Sequence, residues 1–202
     1  MHLHAVNSIA VLKPPEGAES PRLTRAVLGS LRQHLQQIQG AGVYEGLVIM
    51  ANEKSFFTGA EIGEVAKLQG ADAWKFALRG QELCNQIDTF PIPVVAAIRG
   101  FCLGGGLDLA LACHARVATF ESSFGHPGGV LGLITGWGGT QRLPRLIGKA
   151  QGLQMLLTGE RVPATQALTL GLVNELVATQ DLTEAAVRFC ERMVRTKAGQ
   201  EP

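Results

Sequence analysis

Residues 93–108 read Pro93-Val94-Val95-Ala96-Ala97-Ile98-Arg99-Gly100-Phe101-Cys102-Leu103-Gly104-Gly105-Gly106-Leu107-Asp108. The apolar run Val94–Ile98 is too short for a helix and reads as a buried strand. Three consecutive glycines follow, and Leu107–Cys113 reads as a helix behind them. Glycine at such a junction lets backbone come within contact distance of a ligand. A helix start behind it aims free N–H groups and a positive dipole end at the same place. Asp108 falls in the first turn, beside those donors. One carboxylate next to a cluster of N–H groups is what stabilisation of an anionic intermediate requires.

The same residues exclude other chemistries. A phosphate-gripping P-loop needs Gly-Lys-Ser/Thr after its glycines, and here Gly106-Leu107-Asp108 stands instead. The dinucleotide fingerprint needs spaced glycines, and 104–106 are consecutive. No Ser-His-Asp set can be placed by motif.

Working outward, the chain has 202 residues, 46% hydrophobic and 17% charged, with net charge +1. That balance describes a globular chain with a large core and gives no electrostatic case for nucleic acid or an acidic membrane surface. Cys84, Cys102, Cys113 and Cys190 form no C-x-x-C pair and read as reduced core residues of a cytoplasmic protein. No apolar run reaches membrane-spanning length, and Met1-His2-Leu3-His4 is too short and polar for a signal segment.

Periodicity predicts strands over Ser8–Leu12, Gly46–Ala51, 94–98, Ala115–Thr119 and Leu172–Val177. It predicts helices over Leu23–Ile38 (ending at Gly40), Asp72–Ile87, Gln141–Leu157, Thr165–Gly171 and Leu182–Val194. Pro14-Pro15-Glu16-Gly17 breaks the first strand, and Gly128–Gly139 reads as loop. Buried strands separated by helices imply an α/β fold in one domain, 1–202, with a core to about 177 and a tail over 178–202.

A second glycine site lies at Lys54–Ile62, read as a short strand ending in Gly59 before a helical start at Ala60–Glu61. Two N–H donors from separate loops would make an oxyanion hole. The plainer alternative is a helix start capped by Thr58.

Four blocks then carry a family resemblance. Ser55-Phe56-Phe57-Thr58-Gly59-Ala60-Glu61-Ile62 is similar to F-x-A-G-A-D-[IL]. Val94–Ala110 is similar to the pattern V-[IV]-A-A-[IV]-x-G-x-[AC]-x-G-G-G-x-[ED]-L-A. Phe124-Gly125-His126-Pro127 through Arg145 follows F-G-x-P-E…G-G-T-x-R-L-P-R. Leu157-Thr158-Gly159-Glu160 through Gly171-Leu172-Val173 follows L-T-G-x…G-L-V. In this order they resemble the enoyl-CoA hydratase/isomerase (crotonase) family.

The resemblance implies a spiral of β-β-α turns, a homotrimer or hexamer, and an acyl-CoA thioester as substrate, with coenzyme A entering in the substrate and no separate cofactor or metal. It implies that the thioester carbonyl lies between the N–H groups of Ala60 and Gly105, that Gly59, Glu61, Ile62, Gly63 and Gly104 line that region, and that Asp108 is the catalytic carboxylate.

The departures bear on the reaction. Hydratases of the family use two glutamates. Asp108 takes the place of the first and is one methylene shorter, about 1.5 Å. Gly128 takes the place of the second. Adding water wants one group to take a proton and another to give one, whereas moving a proton between carbons needs a single base. Isomerase-type chemistry gains accordingly; thioester hydrolysis, decarboxylation and a non-catalytic acyl-CoA-binding role are the alternatives. His126 is a candidate replacement acid, if 126 and 128 share one face of an extended segment, or else a structural histidine. Trp137 either walls the acyl pocket or fills the core. Glu61 reads as a dipole partner, and Arg142 and Arg145 as ion-pairing residues. The family usually continues beyond the last helix seen here, so the helical tail reads as shortened and the acyl pocket as more open or closed by a neighbouring subunit. Around 12–23 the family's R-P and N-A-L are replaced by Lys13-Pro14 and Glu19-Ser20-Pro21.

Overall fold

The strand–glycine–helix unit is the centre of the architecture. In the computed structural model, which describes residues 1–14, 17 and 21–199, Val94–Ile98 is a fully buried strand in a six-stranded sheet. In chain order the elements are β1 His2–Val6, β2 Ile9–Lys13, α1 Arg25–Ala41, β3 Gly46–Met50, α2 Ile62–Val65 and α3 Ala71–Asp88. They continue as β4 Val94–Ile98, β5 Phe101–Leu103, α4 Gly105–Ala112, β6 Ala115–Thr119, β7 Ser123–Gly125, α5 Gly139–Ile147 and α6 Lys149–Thr158. The last are β8 Val162–Pro163, α7 Ala164–Thr169, β9 Glu175–Val177 and α8 Leu182–Lys197. The larger sheet runs β1-β2-β3-β4-β6-β9, parallel except for the β1–β2 hairpin. A smaller sheet, β5-β7-β8, receives the chain after β4 and again after β6. This β-β-α progression is the predicted α/β spiral.

β3, β4 and β6 are buried along their whole lengths; β3 and β4 are continuous apolar runs, as a doubly covered parallel sheet favours, while β6 carries Arg116 and Thr119. One face packs on α1, α3 and α4 through residues such as Leu31, Leu35, Leu83 and Leu107. The other is covered by α8, whose Leu182, Ala185, Ala186, Val187 and Cys190 meet Val48, Val95 and Val117. The tail helix thus closes the sheet's second face.

Several boundaries differ from the sequence reading. β1 was not predicted; it pairs with β2 through a tight turn at Asn7, whose φ of 55° asparagine tolerates. The predicted strand before Gly59 does not form. Residues there split their bonds between two different segments (Phe56 N–H to Arg99 O, 2.8 Å; Thr58 N–H to Pro21 O, 3.0 Å), so no ladder builds. The predicted helix 141–157 is two helices, divided at Gly148 with φ 88°. Gly128–Gly139, read as loop or turn, opens in a 3₁₀ turn over Pro127–Leu131. The last strand is confined to Glu175–Val177. Pro15, Glu16, Glu19, Ser20 and the final three residues lie outside the described residues.

One buried cation anchors the central helix. Arg116 of β6, 4% exposed, donates to Ala110 O and Cys113 O at the C-terminal end of α4 and to Leu172 O. It satisfies carbonyls that α4 cannot, where a positive charge is favoured by the helix dipole.

Candidate active site

Two backbone turns approach each other at the start of α4. Gly104 precedes the helix with φ 52° and ψ −124°, and Gly59 holds φ 105°. Side-chain-bearing residues rarely adopt either geometry. A Cβ placed on Gly59 would lie 3.8 Å from the nitrogen of Gly105 and 3.9 Å from the Cα of Gly104. Gly105 is the first residue of α4, where a backbone N–H has no intrahelical acceptor. Gly106 is equally constrained: a Cβ there would overlap the carbonyl oxygen of Phe57. That contact locks the 54–59 segment against the helix start.

The two turns open into a cavity of about 420 Å³. Gly59, Ala60, Ile62, Gly104, Gly105, Asp108, His126, Gly128 and Trp137 all line it. So do Thr58 and Thr135, while Ala73, Phe76 and Ala77 of α3 and Leu131, Leu133 and Ile134 give it an apolar wall. Glu61 and Gly63 are not among the lining residues; the Glu61 side chain instead caps α2 by accepting from Gly63 N–H at 3.3 Å. Glu61, not Thr58, is therefore the cap. The Thr58 hydroxyl is buried at the cavity without a partner.

Asp108 is 1% exposed. Its Oδ2 accepts from the Thr135 hydroxyl and from Trp137 N–H (3.2 Å); its Oδ1 has no hydrogen-bond partner. Burial pushes its carboxyl up to about 6, against those hydrogen bonds and the Arg142 charge. Dipole stabilisation at the helix start is thus outweighed by desolvation. His126, 3% exposed, places Nε2 3.6 Å from Asp108 Oδ1, and neither ring nitrogen has a hydrogen-bond partner. Burial lowers its imidazole to about 4. It comes after β7 and enters a 3₁₀ turn, so the alternation that would pair 126 with 128 is broken.

Trp137 is buried in the core and also lines the cavity. Its ring is buried against Phe76 (centroids 5.4 Å apart) and over Gly105, whose Cβ would come within 2.5 Å of ring atom Cζ3, while it also walls the cavity. Arg142 donates to Asn85 (2.8 Å) and Asp88 (3.2 Å), and Arg145 to Gln141, as ion-pairing and helix-bracing residues. Among the described residues no group of His, Cys, Asp and Glu side chains has a metal-binding arrangement, and no helix is long and apolar enough to cross a membrane.

Thr135 and the α3 wall were missed from sequence. Thr135 carries no motif. Ala73, Phe76 and Ala77 stand at i, i+3, i+4, a pattern that marks one helix face and was available.

Fold and site together describe an α/β protein whose cavity is bordered by two tight backbone turns and a buried carboxyl group. The family model described as enoyl-CoA hydratase/isomerase matches residues 5–200, and the chain belongs to that family. An enoyl-CoA hydratase from Bacillus anthracis is 31% identical with a TM-score of 0.89, the match covering 95% of this chain and 75% of that one. Pseudomonas aeruginosa DspI is 30% identical (TM-score 0.90; 96% and 74% covered). An enoyl-CoA hydratase structure from Geobacillus kaustophilus is 28% identical (TM-score 0.89; 96% and 75% covered). The chain spans about three quarters of these relatives' lengths.

Proposed function

We propose that the chain acts on an acyl-CoA thioester, holding the thioester oxygen between the N–H groups of Ala60 and Gly105 while Asp108 moves a proton on the acyl chain. The observation that carries this reading is the convergence of both turns and the Asp108 carboxyl on one apolar cavity. Each such donor contributes about 3–4 kcal/mol to stabilising an enolate-like oxyanion. The carboxyl, held up to about 6, is a base of useful strength near neutral pH.

The reaction favoured is isomerase-type proton transfer rather than simple hydration, because Gly128 brings no carboxylate to the cavity. The acyl chain lies against Phe76, Leu133 and Ile134, and coenzyme A enters with the substrate, so the chemistry calls for no added cofactor. The exposed apolar side chains of Val130, Ile134, Leu153 and Leu157 support assembly into a homotrimer or hexamer. The test compares conversion of a 3-enoyl-CoA with hydration of crotonyl-CoA, in the parent protein and in Asp108→Asn. The variant should keep thioester binding and lose roughly 10²-fold or more of its turnover. Binding without turnover in the parent would leave a non-catalytic acyl-CoA-binding protein.

A further inference from the structure

The cavity contains a second buried titratable group that the reading above does not use. His126 and Asp108 face one another from different elements, one after β7 and one on α4. The atoms that approach, Nε2 and Oδ1 at 3.6 Å, are both without hydrogen-bond partners, and so is His126 Nδ1. Three unpartnered polar atoms in so small a buried space are unusual. The two carboxylate oxygens differ: Thr135 and Trp137 donate to Oδ2, whereas Oδ1 faces His126, with the Gly139 backbone N–H adding a further stabilising contact to the carboxylate. Gly139 makes the approach possible, because a Cβ there would overlap Asp108 Oδ1 and come within 3.0 Å of His126 Nε2.

We infer that His126 and Asp108 form one proton-transfer unit, in which His126 supplies the second exchangeable group that is absent at Gly128 and both proton steps occur on one face of the acyl chain. The inference rests on the acyl-CoA reading. In the forward direction Asp108 Oδ1 takes a proton from the carbon next to the thioester, and the C–H electron pair passes into the carbonyl to give the enolate. The Oδ1–H bond then breaks as Nε2–H forms, so a neutral acid and imidazole become carboxylate and imidazolium. The imidazolium returns the proton to the far end of the allylic system as the enolate electrons move back. Protons and charge balance, and no other reactant is consumed.

Other groups around the pair do not compete for the proton. Arg142 of α5 acts on Asp108 as a fixed positive charge. Cys84 of α3 and Cys102 of β5 have thiols raised by burial and stay protonated. Two sites this close titrate as a pair, with apparent values that belong to neither alone.

The experiment has two arms. The first uses trans-3-hexenoyl-CoA, with His126→Gln and His126→Asn as parallel variants whose fold is verified by circular dichroism. Both should lose about 100-fold in kcat with the thioester Kd within about twofold, and the two-limbed pH profile of kcat should collapse to one limb. Unchanged kcat and an unchanged profile would overturn the inference while leaving the acyl-CoA reading intact. The second arm needs no substrate. The His126 ring is followed by NMR against pH in the parent and in Asp108→Asn, where a two-step titration should become a single step at a shifted midpoint. A His126 titration indifferent to Asp108→Asn would overturn the pairing. Failure of the thioester to bind any variant would defeat the acyl-CoA reading instead, and the NMR arm would still decide the pair.

Discussion

Two regions meet at Asp108 and differ in construction. On one side lies the junction 98–112, where α4 is buried from Gly106 to Ala112, braced by Phe57 at its start and by Arg116 at its end. On the other lies 127–138, a 3₁₀ turn and irregular chain whose Val130 and Ile134 are 74% and 79% exposed. The first region offers backbone groups and hardly any freedom to change. The second offers side chains and few packing constraints. On the proposed reading the rigid frame holds both the charge-stabilising N–H groups and Asp108, while the fit to the acyl chain falls to a segment that can vary without unfolding it.

The strongest test of this contrast is in the rigid half. Gly105→Val places a branched side chain against the Trp137 ring and across the donor, so turnover should fall by roughly 10³-fold while circular dichroism stays near that of the parent. Full activity would remove Gly105 as a donor. Gly106→Ala puts a methyl into the Phe57 carbonyl, and denaturant unfolding should show a loss of about 3 kcal/mol, the upper end of overpacking effects.

A subtler effect belongs to the pair between the halves. Asp108, raised to about 6, contributes stability that is present below its unfolded value and lost as pH rises through 6. His126, lowered to about 4, contributes stability present above its unfolded value and lost as pH falls through 4. The two trends oppose each other over the same window and leave the parent nearly flat there. Relative to the parent, Asp108→Asn should gain stability as pH rises from about 4 to about 6, and His126→Gln should gain it as pH falls from about 6.5 to about 4, each on the order of 2 kcal/mol. Unfolding free energies across that range that track the parent in both variants would contradict the burial argument.

Smaller changes are expected in the variable half. Gly128→Glu must displace Leu133 slightly, since its Cβ lies 3.1 Å from the Leu133 carbonyl oxygen. It should still raise crotonyl-CoA hydration about tenfold by adding a second carboxylate. Efficient hydration by the parent, unaltered by Gly128→Glu, would refute the single-carboxylate argument. Ile134→Ser at the exposed tip should move stability by no more than about 0.5 kcal/mol. A large loss there would mean that 127–138 is as constrained as the junction.

What could be read in the sequence follows the same division. β3 and β4 were legible because a strand buried on both faces reads as an unbroken apolar run, and β6 because its β-rich stretch is short and bounded, although Arg116 interrupts it. The meeting of the turns at Gly59 and Gly104–Gly106 was legible because close backbone approach needs glycine in the chain itself. The loop contacts were not. Thr135 bonds Asp108 through a hydroxyl with no local pattern, and the meeting of His126 with Asp108 depends on how β7 leaves the smaller sheet. Hydrophobic periodicity carries no record of such long-range encounters. The split at Gly148 was visible as a glycine but not as a break, because the turn there brings α6 back onto α5, with Gly152 against Pro144, a meeting that local sequence does not encode.

The slot that Gly105 and Phe76 form for the Trp137 ring has an optical consequence. The chain has two tryptophans. Trp74 is 65% exposed at the start of α3, whereas Trp137 is 5% exposed, with its ring against a donor glycine and its backbone N–H on Asp108. Emission from the two should separate by polarity, the blue component arising at the cavity. Trp74→Phe would leave a single tryptophan, at the wall of the cavity. Thioester binding and the protonation of Asp108 could then be followed by light, with no label introduced.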